Sequence, residues 1–85
     1  MTIRALPVVD RLERDGRTLL LLENQVVELS PLALAAYDAA SGPVGLAALT
    51  ATLVATFGAP PEGDPSLAVR GVVDELVALS LVAAD

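Results

Sequence analysis

The sequence predicts a single α+β domain, residues 1–85, in which a three-stranded antiparallel sheet is followed by three helices in the order βββααα. Three observations support this prediction. Asp15-Gly16 is a two-residue hairpin turn between short apolar runs, Ser30-Pro31 is a helix start, and two later segments carry apolar residues at helical spacing. The 85 residues are 54% hydrophobic, which is sufficient for one core and argues against global disorder.

Two strands are predicted on either side of the Asp15-Gly16 turn. The first covers Leu6–Glu13, with Pro7 near its start, where a strand tolerates proline. The returning strand, Thr18–Glu23, contains four consecutive leucines, which indicates burial on both faces. Such a run also suits a helix, but the hairpin and the short length favour a strand. A self-association surface at Leu19–Leu22 is the alternative to burial.

The third predicted strand is Val26–Leu29, which follows a weaker turn at Asn24-Gln25. Val27 and Leu29 share the face that points to the core, because side chains alternate along a strand. As the last strand of a meander, it has one edge without a neighbour. Ser30 and Pro31 come directly after it and start the first helix with no intervening loop.

The three predicted helices are Pro31–Ala40, Val44–Phe57 and a third from the Asp64-Pro65-Ser66 cap to Leu79. Leu81-Val82 closes the chain. The inward-facing residues repeat at the spacing of one helical face: Leu34 and Tyr37 in the first helix, Leu46, Leu49, Leu53 and Phe57 in the second, and Val69, Val72, Leu76 and Leu79 in the third.

Missing residue types exclude many chemistries. The chain has no Cys and no His, which removes disulfides, thiolate nucleophiles, imidazole bases and nearly all transition-metal sites. It has no Lys, so Schiff-base and P-loop chemistry are also excluded. The acidic residues do not form the spaced loop of a calcium site. We therefore expect a protein that is not an enzyme and that needs no cofactor or metal.

Charge is unevenly distributed along the chain. Residues 1–22 carry four Arg and three acidic residues, a net charge of +1, whereas residues 23–85 carry Arg70 against eight acidic residues, a net charge of −7. An acidic helical region repels a phosphate backbone, so no nucleic-acid partner is expected. The acidic residues either keep an apolar small protein in solution or complement a basic partner.

The segment between Asp38 and Glu62 contains no charge, but it does not predict a membrane span. Gly and Pro residues reduce its longest helical run to Val44–Phe57, 14 residues, whereas a span needs roughly 20. The N-terminus lacks the apolar centre of a signal peptide. The expectation is a soluble, cytoplasmic protein with no membrane partner.

The segment "LSPLALAAYDAAS", which begins at Leu29, resembles the pattern L-N-x-[ST]-[GA]-x-x-[ILV]-aromatic at the strand-to-helix junction of the PqqD-like family. Leu29 takes the position of the leucine and Ser30 that of the capping Asn. Ala33 takes the position of the small residue and Tyr37 that of the aromatic residue.

The closing segment "VVDELVALSLV" resembles the family's last helix, L-x-x-x-G-L, with Leu76 and Leu81 as the two leucines. With the hairpin and the length, the resemblance covers essentially the whole chain. Three positions depart from the family pattern. Pro31-Leu32 replaces a more polar pair, Ala36 is smaller than the usual aliphatic residue, and Ser80 stands where the family favours a helix-ending glycine.

Members of this family are RiPP recognition elements, which bind the leader peptides of ribosomally made natural products. The resemblance implies a winged-helix-like fold whose third strand and third helix flank a groove. In that groove a leader peptide adds to the sheet along the third strand, by β-augmentation. The implied partners are a precursor peptide and a separate modifying enzyme or leader protease.

The resemblance places the leader-binding residues on two elements. On the third strand they are the backbone groups of Val26, Val27, Glu28 and Leu29, although Val27 and Leu29 also suit an ordinary core. On the third helix they are Arg70, Val73, Asp74 and Val77, which share one face at i, i+3, i+4 and i+7. We expect Arg70 to meet an acidic leader residue. The alternative is an Arg70–Asp74 pair on a solvated face.

Three other functions are compatible with a short α+β domain. A winged-helix DNA-binding regulator would need a basic recognition helix, yet Arg70 is accompanied there by Asp74 and Glu75. A carrier protein would need a serine between Asp and Leu, and none is present. A self-associating structural subunit would pair the strand edge with a second copy and form a homodimer.

Overall fold

The computed structural model describes all 85 residues and contains six strands and three helices. The elements are β1 Thr2–Ala5, β2 Asp10–Arg14, β3 Arg17–Leu21, β4 Val26–Leu29, α1 Pro31–Ala39, β5 Val44–Gly45, α2 Leu46–Phe57, α3 Pro65–Ala78 and β6 Val82–Ala84.

β2, β3 and β4 form the predicted antiparallel meander. Asp15 and Gly16 both have positive φ, 54° and 75°, which is the backbone of the two-residue hairpin turn. The turn pairs Arg14 with Arg17, and each following residue of β3 faces one of β2. The meander is therefore fixed locally, by its turn.

The prediction of one sheet is wrong, because β5, β1 and β6 form a second antiparallel sheet with β1 at its centre. Thr2 pairs with Gly45, and Ile3 pairs with Ala84 on the other side. These strands have two to four residues, too few to show an alternating pattern, and their partners are far apart in sequence. The predicted strand Leu6–Glu13 begins only at Asp10, because the residues before it connect the two sheets.

The helices begin at capped residues. The Ser30 hydroxyl accepts a hydrogen bond from Ala33 N (3.2 Å) at the start of α1, and the Asp64 carboxylate accepts one from Ser66 N (2.9 Å) at the start of α3. Hydrogen bonds from Ser66 lower the pKa of Asp64. None of the three helices combines the length and the apolar character that a membrane span requires.

α2 differs from its prediction at both ends. It begins at Leu46 instead of Val44, because Val44 is paired with β1. Phe57, predicted to face inward, is 47% exposed, and the buried residues of this helix are Leu49 and Leu53.

The core lies where the helices meet the inner faces of both sheets. α1 is tied to the segment between the sheets by the Tyr37 hydroxyl, which donates to Leu6 O at 2.6 Å. Partial burial raises the pKa of this phenol. The twelve buried apolar residues come from all three helices and from four strands and adjacent turns: Ile3, Leu20, Leu29, Ala36, Ala40, Leu49, Leu53, Val69, Val73, Leu76, Leu81 and Val82.

The C-terminus of α3 is closed by a Schellman motif. Ser80 N donates to Val77 O (3.0 Å) and Leu81 N to Leu76 O (2.9 Å). Ser80 adopts φ 62°, in the left-handed region that favours glycine.

Ser80→Gly should therefore stabilise the protein by about 0.5–1 kcal/mol. The substitution removes the steric strain of a side chain in the left-handed region, and the greater flexibility of glycine in the unfolded chain offsets part of this gain. The midpoint of urea unfolding is the measurement. Gly58, in the loop after α2, also has a positive φ, 83°. Gly58→Ala is therefore the matched variant and should lower the midpoint. An unchanged or lower midpoint for Ser80→Gly would contradict the expectation.

Candidate functional site

β4 presents an edge with unpaired backbone groups. It is the last strand of the meander and pairs only with β3. Leu22 N donates to Gln25 O (2.8 Å) at the turn before β4, so Leu22 and Gln25 form a hydrogen-bonded pair. Bonded and non-bonded pairs alternate in an antiparallel ladder. The N–H and C=O groups of Val26 and Glu28 therefore point away from β3, toward the open side.

The side chains of β4 alternate between the core and the outer face of the sheet. Leu29 is buried and Val27 is half-buried, as the sequence predicted. Val26 is 62% exposed and Glu28 is also exposed. Val27 and Leu29 thus hold the strand in place, while the exposed groups of Val26 and Glu28 are free to contact another molecule.

A groove of about 280 Å³ lies beside this edge, between β4, the first turn of α1 and α3. Leu29 and Leu76 are buried at its floor, and its walls contain half-buried apolar side chains. Its lining residues are Glu28, Leu29, Ser30, Ala33, Val72, Glu75, Leu76 and Leu79. The third strand and the third helix of the predicted order therefore do flank a groove.

The helix residues that line the groove are not the predicted row. Arg70, Asp74 and Val77 are exposed but lie outside the lining, and Val73 is fully buried at 0% exposure. Val73 is in the core, so its side chain is not available to a peptide.

The helix wall was missed because two rows of α3 have the same apolar spacing. The predicted core row was Val69, Val72, Leu76 and Leu79. Burial of Val69 and Leu76 is confirmed, but the third buried residue of this helix is Val73. Val72 and Leu79 are only half-buried and face the groove. Helical spacing predicts that an apolar face exists, but the neighbouring elements decide which row is covered.

Glu75 is the other helix residue that the sequence did not single out as a groove residue. Its carboxylate is exposed and has no salt bridge. No sequence signal separates it from Asp74, because both are acidic and adjacent on the helix.

An ion pair occupies the outer face of the strand pair. Arg17 Nε donates to Glu28 Oε2 at 3.0 Å, and Arg17 Nη2 donates to Glu28 Oε1. These bonds lower the pKa of Glu28. Arg11 forms a similar two-point contact with Asp38, at 2.8 and 3.2 Å, which connects β2 to α1. Glu28 is therefore already neutralised, and Glu75 is the unpaired carboxylate in the groove lining.

A second apolar depression of about 260 Å³ lies where α2 ends and α3 begins, beside Leu53, Phe57 and Val69. It is lined by residues of helices and of the loop between them, so it offers no free strand edge. No three acidic residues lie close enough together to share a metal ion. At the groove beside β4, by contrast, unpaired backbone groups lie next to an apolar floor.

A comparison of the chain with protein-family models, curated proteins and solved structures gave no match.

Proposed function

We propose that this chain is a stand-alone peptide-binding module. It captures the leader of a ribosomally made precursor peptide by adding it as a strand to β4, and presents it to a separate modifying enzyme or leader peptidase. The observation that carries the proposal is the free edge of β4 beside an apolar groove. The chemistry belongs to the partner enzyme, and the setting is natural-product biosynthesis in the cytoplasm.

The edge is suited to strand addition because it is short, exposed and rigid. Val26 and Glu28 offer two N–H donors and two C=O acceptors to an incoming strand. Leu29 is buried and Ser30 caps α1 directly behind it, so the strand is held at that end before any peptide arrives. A preformed edge loses little conformational entropy on binding.

The groove supplies side-chain selectivity. Alternate side chains of an added strand would point toward α3, where Leu29, Leu76 and Leu79 form an apolar surface. Burial of apolar peptide side chains there contributes about 25 cal/mol per Å² of area removed from water. Main-chain bonds thus provide general affinity, and the groove chooses among sequences.

The direct test is a ¹⁵N–HSQC titration with the N-terminal half of the nearest encoded short peptide. We expect shifts at Val26–Leu29 and at Val72, Glu75 and Leu79. Shifts confined to the depression beside Phe57 would contradict capture at β4. Dimerisation through β4, with added peptide failing to compete, would instead favour a self-associating subunit.

Blocking the edge should abolish most of the affinity. Val26→Pro removes one outward N–H and places a ring against the incoming strand, yet it leaves the bonds to β3 intact. We expect about tenfold weaker peptide binding, since one hydrogen bond and its geometry are lost. Fluorescence anisotropy of the labelled peptide measures it.

Val26→Ala is the matched control, because it removes the same side chain and keeps the N–H. If both variants bind alike, the backbone edge is not the contact surface. Circular dichroism of each variant checks that the fold is retained.

A further inference from the structure

Resting on the function proposed above, we infer that the groove selects a leader carrying a Lys or Arg residue next to apolar ones, and that Glu75 is the residue that recognises this cation. This reverses the expectation from the sequence, in which Arg70 would meet an acidic leader residue. The reversal follows from where α3 places its charges.

Glu75 stands between two apolar side chains on the groove wall. Val72, Glu75 and Leu79 lie at i, i+3 and i+7, which is one row of the helix. Val72 and Leu79 are half-buried, whereas the Glu75 side chain is exposed. A long basic side chain fits this row, because its methylene stem covers the apolar residues while its charged end reaches the carboxylate.

No cation lines the groove. Of its eight lining residues, the charged ones are Glu28 and Glu75, and Glu28 is held by Arg17. Arg70 is outside the lining, at the side of α3 that carries Asp74 and Val77. A peptide carboxylate placed here would therefore meet an unpaired negative charge, and a peptide cation would meet its complement.

The strand geometry restricts where the cation stands in the peptide. Residues two positions apart in an added strand face the same side, about 6.6 Å from each other. The residue facing Glu75 and the residue two positions before or after it both point toward α3. The expected motif is a basic residue with an apolar residue at that spacing.

The test is a selection from a phage-displayed library of random ten-residue peptides on three immobilised proteins: the natural chain, Glu75→Arg and Asp74→Arg. Asp74→Arg is the matched control, because it makes the same charge change one residue away and outside the groove. Binding of one selected peptide to each protein is then measured by fluorescence anisotropy. Selected peptides that bind the Val26→Pro variant more weakly than the natural chain are identified as peptides that use the β4 edge.

The natural chain and Asp74→Arg should select the same basic residue beside apolar ones. Glu75→Arg should lose this preference and bind the selected peptide about tenfold or more weakly, since an attraction becomes a repulsion. Glu75→Gln should weaken it about two- to fivefold, as expected for a partly exposed ion pair. The difference between natural chain and Glu75→Gln should shrink at high salt.

Two failures are distinguishable. Peptides that depend on the β4 edge but show no basic preference, or an acidic one, would overturn the role of Glu75 and leave strand capture standing. The same holds if Glu75→Arg and Asp74→Arg select alike. Selection of no edge-dependent peptide at all would overturn both proposals.

Discussion

Replacing Val73 with aspartate is expected to destabilise the domain by several kcal/mol. Val73 has 0% exposure and packs among the buried residues of the core. An unpaired carboxylate at this position loses its hydration without gaining a partner, which costs several kcal/mol. A domain of this size has about 5–15 kcal/mol of stability in total. The substitution therefore removes a large share of the folding free energy.

Val77→Asp is the matched control for Val73→Asp. Val77 lies one helical turn further along α3 and is 42% exposed, so the carboxylate remains in water. Far-UV circular dichroism with thermal melting compares the two. An unchanged melting temperature for Val73→Asp, or an equal loss in both variants, would mean that Val73 does not face the core.

Leu81→Ala should destabilise the protein by about 2–5 kcal/mol, the cost of deleting a buried leucine side chain and leaving a cavity. Leu81 is fully buried and stands at the junction of α3 and β6. Its N–H closes the helix on Leu76 O, and its C=O accepts a hydrogen bond from Leu6 N at 2.9 Å. Both backbone bonds remain in the variant, so the measured loss reports the side chain.

Urea unfolding measures the loss of stability. Far-UV circular dichroism follows the transition, because the chain has no Trp whose fluorescence could report it. Leu67→Ala is the control, because Leu67 is 68% exposed on α3 and should change stability little. A change of less than about 1 kcal/mol for Leu81→Ala would contradict the packing at the α3–β6 junction.

Local signals in the sequence account for the elements that were predicted correctly. The Asp15-Gly16 turn specifies β2 and β3 because its residues accept positive φ, and the Ser30 and Asp64 caps specify where α1 and α3 start. Each of these signals acts over a few neighbouring residues, so it can be recognised without knowing the rest of the fold.

The second sheet could not be predicted in this way. β1 has four residues and β5 has two, and their pairing depends on segments that are far away in sequence. No turn joins them, and no alternation is long enough to indicate them. Their positions follow from tertiary packing, which local propensity does not contain.

Of the candidate site, the strand edge could be predicted from the sequence, whereas the helix wall depends on tertiary packing and could not. The edge of β4 follows from its place as the last strand of a meander, which the order of elements already implies. The opposite wall depends on the rotation of α3 about its axis. If α3 were rotated by one residue position, Val72 would be buried in the core and Val73 would face the groove. Only contacts with the other elements fix the rotation of the helix.

The position of β1 has a consequence for the order in which the chain is made. Among the six strands described, β1 is synthesised before the others, and it receives its second neighbour only after β6 has left the ribosome. Until then the end of α3, which forms one wall of the groove, lacks the closing hydrogen bond from Leu81 N to Leu76 O. Such a long-range closure is slow, because loop entropy is lost before the contacts form. During synthesis β4 therefore leaves the ribosome with an open strand edge, and the groove beside it is completed only after α3 and β6 have followed.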